Sequence, residues 1–148
     1  MLRLSKKADY ALIAMKHLAQ KSPGAHSSSA REIAEHYDIP IELMAKVLQR
    51  LVRTGLLVST QGTRGGYMLS RPAPSISVAD VIQAIDGPLT VTACSNEKND
   101  CEQFSKCSIR DSLWQIRERI AAALGTVTLS DMGGSSDMAS PVAVVRRA

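Results

Sequence analysis

The sequence predicts a mainly α-helical chain with one small β-hairpin, on three observations. Apolar residues recur at helical spacing in several short segments, each opened by a capping residue. A Gly-rich run, Gln61-Gly62-Thr63-Arg64-Gly65-Gly66, separates two strand-like stretches. Towards the C-terminus Ile109, Leu113, Ile116, Ile120 and Leu124 repeat at spacings of 4, 3, 4 and 4, close to a heptad.

Taken in order, Ser5 caps a first helix running to about Ala19, with Leu4, Ala8, Ala11, Leu12, Met15 and Leu18 on one side. Ser22 to Ser28 is a loop by composition. Ser29-Ala30-Arg31-Glu32 is a capping box that opens a short helix with Ile33, Ala34 and Tyr37 inward. Asp38-Ile39 turns tightly. Pro40 suits the first position of the next helix, where its missing N–H costs nothing. That helix carries Leu43, Met44, Val47, Leu48 and Leu51 inward and Glu42, Lys46, Gln49, Arg50 and Arg53 outward, and Gly55 ends it.

Residues 56–60 and 67–70 then form the hairpin, with Gly62, Gly65 and Gly66 letting its tip turn. Ser77 and Asp80 cap a further helix with Val78, Val81, Ile82 and Ile85 inward, terminated at Gly87-Pro88. Residues 89–107 read as a polar loop. Ser108, with Asp111 three residues on, caps the final helix. Its heptad-like seam suits pairing with a second chain, the alternative being a helix packed on its own domain. The Gly/Ser-rich end is aperiodic and is expected to be mobile. The domain organisation is therefore 1–88 for the first domain, 89–107 for the cysteine loop, 108–130 for a dimerisation helix and 131–148 for the tail.

Helix, short helix, tight turn, helix and Gly-rich hairpin is the order of a winged helix-turn-helix. An amphipathic helix after the turn grips the domain with one face and leaves the other free for a major groove. Charge agrees. Residues 1–70 hold ten Lys/Arg against five Asp/Glu, a net +5, while the remainder is −1. A basic front half favours a polyanion, although a solvated basic face has the same composition. Lys46, Arg50 and Arg53 are the long cations of the outward face, and Arg64 at the hairpin tip can reach a phosphate or minor groove. Arg53 could instead serve the helix dipole, and Arg50 could pair with Glu42. Arg3, Ser29 and Tyr67 complete the candidate DNA-binding set.

No stretch approaches the roughly 18 apolar residues of a membrane span. The N-terminus lacks the zones of a signal peptide, so the expected location is cytoplasmic with no membrane partner. The three cysteines, Cys94, Cys101 and Cys107, fall within fourteen residues. An odd, clustered count suits a metal centre or redox switch better than a disulfide framework. Thiolates suit an iron–sulfur cluster or zinc, but paired CxxC knuckles are absent and no histidine follows Cys107 closely. Cluster, zinc and thiol switch all remain open on chemistry alone. No nucleophile–base arrangement suggests an enzyme.

Several of these pieces together resemble the Rrf2 family of regulators. They are Arg3-Leu4-Ser5-x-x-x-Asp9-Tyr10-Ala11-Leu12, the hairpin Gly65-Gly66-Tyr67-x-Leu69, the helix start Ser77-Val78-x-Asp80-Val81-Ile82 and the three-cysteine loop. The resemblance covers roughly residues 1–132, and the Met1-Leu2-Arg3-Leu4-Ser5-Lys6 start with Asp9-Tyr10 looks most like the branch that regulates the SUF cluster-assembly system. It implies a homodimer crossed through the last long helix, binding double-stranded DNA at an imperfect palindrome, with an iron–sulfur cluster near the dimer interface.

IscR-like members use a histidine three residues after the third cysteine. Arg110 stands there, so that ligand set does not transfer. NsrR-like members use an aspartate of the first helix of the partner chain, and Asp9 matches that position. The ligands the resemblance implies are thus Cys94, Cys101, Cys107 and Asp9 of the partner subunit. The alternative for Asp9 is a first-turn acid favouring the helix dipole. The recognition-helix glutamate of IscR-like members is replaced by Ala45. The expected function is a transcription regulator, with repression the expected mode, controlled by the cluster. The alternatives are a cluster-free thiol sensor and a zinc-stabilised protein-binding adaptor.

Overall fold

The computed structural model describes residues 3–21, 27–91 and 101–133. Among the described residues six α-helices and one hairpin follow in order: α1 (Lys6–Ala19), α2 (Ala30–His36), α3 (Ile41–Arg53), β1 (Leu57–Thr60), β2 (Gly66–Leu69), α4 (Val78–Asp86), α5 (Arg110–Thr126) and α6 (Leu129–Gly133). Cys94 and residues 134–148 of the expected tail lie outside the described residues, as does 22–26 of the first loop.

Ser5 caps α1 as expected, its hydroxyl accepting the Ala8 N–H at 3.1 Å. The same hydroxyl donates to Asp86 Oδ1 at 2.5 Å, tying the start of α1 to the end of α4. Ala8, Ala11, Ala14, Met15 and Leu18 form the buried face of α1. The small alanines let neighbouring helices approach closely, which suits a sequence with only 3% aromatics. Asp38 takes a left-handed φ of 52° in the α2–α3 turn, a conformation that Asp tolerates better than most residues. Pro40 is the N-cap of α3 rather than its first residue, since its ψ of 128° is not helical.

α3 buries Met44, Val47, Leu48 and Leu51. Leu43, expected inward, is exposed at 37%. At 100° per residue it lies to the side of that stripe, where α4 passes. β1 and β2 pair antiparallel from Leu57↔Leu69 to Thr60↔Gly66. Ser28 adds a bridge to the hairpin: the Tyr67 N–H donates to the Ser28 carbonyl at 2.7 Å and the Ser28 N–H to the Tyr67 carbonyl at 3.2 Å. Gly62 has φ 106° and makes the turn. Gly66 is needed for a different reason, because a Cβ there would sit 2.5 Å from the Ser28 carbonyl oxygen.

Three capping and boundary expectations need correction. At α2 only half of the box forms. Ser29 Oγ accepts the Glu32 N–H at 3.1 Å, but the Glu32 carboxylate takes the Lys21 ammonium at 3.0 Å instead of the Ser29 backbone. The Ser77–Asp80 box of α4 is complete. Ser108 does not cap α5, whose N-cap is Ile109 with no side-chain cap. Asp111, its expected partner, binds the neighbouring Arg110 guanidinium at 3.0 Å. Finally, helix does not run through to 130. Val127 is extended, and Thr128 with Asp131 starts α6 (Thr128 N–H to Asp131 Oδ2, 2.8 Å). The chain thereby returns to the first domain: Thr128 bridges Ser77, the Leu129 N–H donates to the Ile76 carbonyl at 3.0 Å, and Leu129 is fully buried in the core.

A cluster of His17, His36 and Tyr37 joins α1 to α2. Tyr37 Oη lies 3.1 Å from His17 Nδ1, and His17 packs edge-on to Tyr37. Burial, then the charges of Lys21 and His36, hold the His17 pKa below its ordinary 6.5, against a smaller opposing effect of Glu32. No helix among the described residues is long and apolar enough to cross a membrane.

Two outcomes follow. Replacing Gly66 with Ala should cost about 1–3 kcal/mol, the usual overpacking range, read as a lower urea midpoint; an unchanged midpoint would show that the Ser28 strand can move aside. A histidine that is harder to protonate when folded stabilises the protein fully above pH 6.5 and progressively less as pH falls. The melting temperature should therefore drop between pH 7.5 and 5.5, and His17→Phe should flatten that dependence. Glu32, whose carboxyl is held below 4.5 chiefly by its hydrogen bond to Lys21, loses its contribution only at lower pH, so the two are separable.

Candidate functional site

The geometry of α3 decides which side chains can leave the domain. With Met44, Val47, Leu48 and Leu51 turned inward, the opposite direction on a 100° wheel is held by Glu42, Lys46, Gln49 and Arg53. All four are exposed. Arg50 lies to the side. It does not pair with Glu42; its Nε donates to the Ala84 carbonyl at 3.0 Å, in the last turn of α4. That carbonyl has no helical partner, so the bond satisfies it and fixes α3 against α4. Arg50 is thus first a tether, with the rest of its guanidinium left facing a groove.

The groove runs between α1, α3 and α4. Lys7, Lys46, Arg50 and Arg53 rim it over a floor of Leu43, Val47 and Ile85, with no acidic residue in the lining. Lys7 was not singled out in the sequence. Nothing local marks it, because the packing of α1 on α3 and α4, with the Ser5–Asp86 contact, brings the start of α1 beside them. Among the described residues none of these four cations forms an ion pair within 4.0 Å.

A second cationic point is the hairpin tip. Arg64 is exposed, and its carbonyl accepts Ser27 Oγ at 2.9 Å, which pins the tip to the segment before α2. A cleft between tip and α2 is lined by Ser27, Ser29, Glu32, Thr63, Arg64 and Gly65. Ser29 sits there, half-buried, with its hydroxyl engaged as the α2 cap. Tyr67 is half-buried against the core and held by Ser28 through its backbone. Arg3 is exposed just before α1. The candidate DNA set therefore divides: Lys46, Arg50 and Arg53 share the groove, Arg64 and Ser29 share the tip cleft, and Arg3 and Tyr67 belong to neither.

Of the cysteines, Cys101 and Cys107 are half-buried free thiols on either side of a short 3-10 turn, Phe104–Lys106. The Phe104 N–H donates to the Cys101 carbonyl at 3.1 Å and closes that turn. Asp9 lies in the first turn of α1, half-buried, and its carboxylate makes no hydrogen bond or ion pair among the described residues. Within the described part of one chain, no three His, Cys, Asp or Glu side chains converge. The donor types, soft thiolates on a short irregular segment and a carboxylate unpaired among the described residues, are ones that an iron–sulfur centre or zinc can take.

Comparison with known proteins agrees in both sequence and structure. A family model described as "Rrf2: Iron-dependent Transcriptional regulator" matches residues 4–134. The chain is 32% identical over 138 residues to the HTH-type transcriptional regulator IscR of Yersinia pseudotuberculosis, covering 93% of this chain and 82% of that protein. The IscR of Klebsiella pneumoniae is similar to the same degree, 32% over 138 residues, with 93% and 83% covered. Among solved structures, CymR, the global cysteine regulator of B. subtilis, superposes with a TM-score of 0.71 at 27% identity, covering 90% of this chain and 97% of that one. The oxidized form of Staphylococcus aureus CymR gives 0.71 at 27%, covering 92% and 99%. T. potens IscR gives 0.70 at 28%, covering 95% and 94%. The fold is thus a winged helix with α3 as the helix after the turn and the β1–β2 hairpin as the wing, and the chain belongs to the Rrf2 family of iron-dependent transcriptional regulators.

Proposed function

We propose that this regulator binds an imperfect DNA palindrome as a homodimer, and that an iron–sulfur cluster held by Cys94, Cys101, Cys107 and Asp9 of the partner subunit sets its DNA affinity. The observation that carries the reading is a cation-rimmed α3 and a pair of accessible thiols joined by one continuous segment into α5. On DNA, α3 presents Lys46, Gln49 and Arg53 to base edges, and Arg50 with Lys7 faces the phosphates of one strand. Arg64 on the wing reaches a phosphate or the adjacent minor groove. Two such units related by a two-fold axis read two half-sites.

The second copy is supported by α5. Ile109, at the N-cap of α5, is exposed at 58% and Ile116 at 45%, on the side of the helix that carries Leu113 and Ile120, and α5 buries no residue completely. A contiguous apolar face of that kind is expected to be covered by a partner. The thiols and Asp9 would hold the cluster between subunits, and a bound cluster would supply sensitivity to oxidants, nitric oxide and iron supply. What this chain's own residues do is simpler: Cys101 and Cys107 fix one end of the segment that leads into α5, and Asp9 stands on the same helix as Lys7. Ligation at Asp9 therefore bears directly on the placement of the groove.

A second reading keeps the same DNA-binding unit but uses Cys94, Cys101 and Cys107 as cluster-free thiols. Likeness to CymR, a global cysteine regulator of which one solved structure is the oxidized form, supports it.

Purification without oxygen decides between them. The cluster reading expects a brown protein with equal iron and sulfide, lost in Cys101→Ala and lost or spectrally shifted in Asp9→Ala. A colourless protein that also resists reconstitution would establish the thiol reading. For the groove, each phosphate contact contributes about 0.9 to the slope of log affinity against log salt. Lys7→Ala should lower that slope by about 1 and weaken all sequences equally, whereas Arg64→Ala should cost roughly 1–3 kcal/mol if it reads a base. An unchanged slope would remove Lys7 from the DNA surface.

A further inference from the structure

Arg110 is the first residue of α5 and lies three residues after Cys107. Its guanidinium carbon stands 4.7 Å from the centroid of the Phe104 ring and 5.8 Å from that of Trp114, inside the range of cation–π attraction. Its Nη1 donates to the Phe104 carbonyl at 3.1 Å, and its Nε to Asp111 Oδ1 at 3.0 Å. Phe104 in turn donates its N–H to the Cys101 carbonyl at 3.1 Å. A chain of contacts thus runs from Cys101 through Phe104 and Arg110 to Trp114, with the half-buried Cys107 lying in sequence between the turn and the helix. Phe104 and Trp114 are the sole phenylalanine and sole tryptophan of the sequence. α5 has no side-chain N-cap, so these contacts, rather than a cap, anchor the Cys101–Cys107 segment on its first turn.

We propose that Arg110 is a positioning residue that latches the Cys101–Cys107 segment to α5, so that a change at either thiol is transmitted to that helix. This rests on the reading that these thiols form the sensing site. The mechanism is mechanical. A ligand or adduct at Cys101 or Cys107 moves the Phe104 carbonyl and ring, and the planar guanidinium, bound to both, carries the displacement to the Trp114 turn. Lysine would keep a cation near the rings but lose the forked donor to Phe104.

The test uses the full-length, reduced, cluster-free protein. Alkylation by iodoacetamide is followed by peptide mass at Cys101 and at Cys107 separately, and Trp114 emission is recorded before and after. In the native chain, alkylation should shift the Trp114 emission. In Arg110→Ala, both thiols should react about two- to fivefold faster, the weight of a surface cation–π contact, and the emission should no longer respond to alkylation. Arg110→Lys should restore part of the response, and Phe104→Leu, which keeps the cation but removes one ring, should weaken it. Circular dichroism verifies that helix is retained in each variant. Equal alkylation rates in Arg110→Ala and the native chain, or a Trp114 emission in the native chain that ignores alkylation, would overturn the latch. Neither readout involves DNA or cluster, so a working latch in a protein whose DNA affinity ignores the thiols would sink the sensing reading alone.

Discussion

The one-sidedness of α3 is the constraint from which the rest of the molecule follows. Met44, Val47, Leu48 and Leu51 are between 0 and 3% exposed. Burying each such side chain contributes about 1.5–3 kcal/mol, so the helix has one stable seating. That seating turns Lys46, Gln49 and Arg53 to solvent and sends Arg50 sideways to the last turn of α4. The functional face is thus the geometric remainder of the packed face. The same core takes Met15 and Leu18 from α1 and Leu57 from β1, so the groove and the wing are referred to one rigid body. Alanine and methionine do here what aromatics do in other cores, filling close helix crossings with small or adaptable side chains.

The position of α6 gives that body a mechanical link to α5. Leu129 is fully buried with Ile76 and Val81 in the main cluster, and Val127 and Thr128 pair with the start of α4. Helix α5 is therefore followed by an anchor in the core, α6, while its first turn carries the cysteine segment through Arg110 and its aromatic contacts. A shift of α5 would therefore pull on the 127–129 segment, which is bonded to the start of α4 in the domain that carries the cations. This gives the proposed control of DNA binding a material path, because thiol chemistry at one end of α5 is opposed by a fixed anchor at the other.

Much of the fold was legible because it is written in local rules. The Ser5 cap, the α3 stripe, the Ser77–Asp80 box and the Gly-rich wing each need only a few neighbouring residues to be recognised. What escaped depends on residues distant in sequence. Glu32 left its capping box for Lys21, eleven positions away. Asp111 was taken by Arg110, itself oriented by Phe104. Lys7 joined the groove through the packing of α1 on α3 and α4 and the Ser5–Asp86 contact across 81 residues. The return of the chain at Leu129 did have a local signature, Thr128-Leu129-Ser130-Asp131, a box that the continuing heptad pattern masked. The cysteine spacing pointed to a metal centre or a redox switch without choosing between them, and no spacing rule places a ligand from outside the segment.

The central claim is that the state of the three-cysteine segment sets how tightly the α3 groove holds DNA. The most direct measurement is a titration of fluorescently labelled genomic fragments, enriched by the protein itself, with cluster-loaded and cluster-stripped protein at one salt concentration. The account predicts dissociation constants at least about tenfold apart, a difference of about 1.4 kcal/mol, with the gap lost in Cys107→Ala. Equal affinities for the two forms would contradict it and reduce the cysteines to a feature of the chain that DNA binding does not feel.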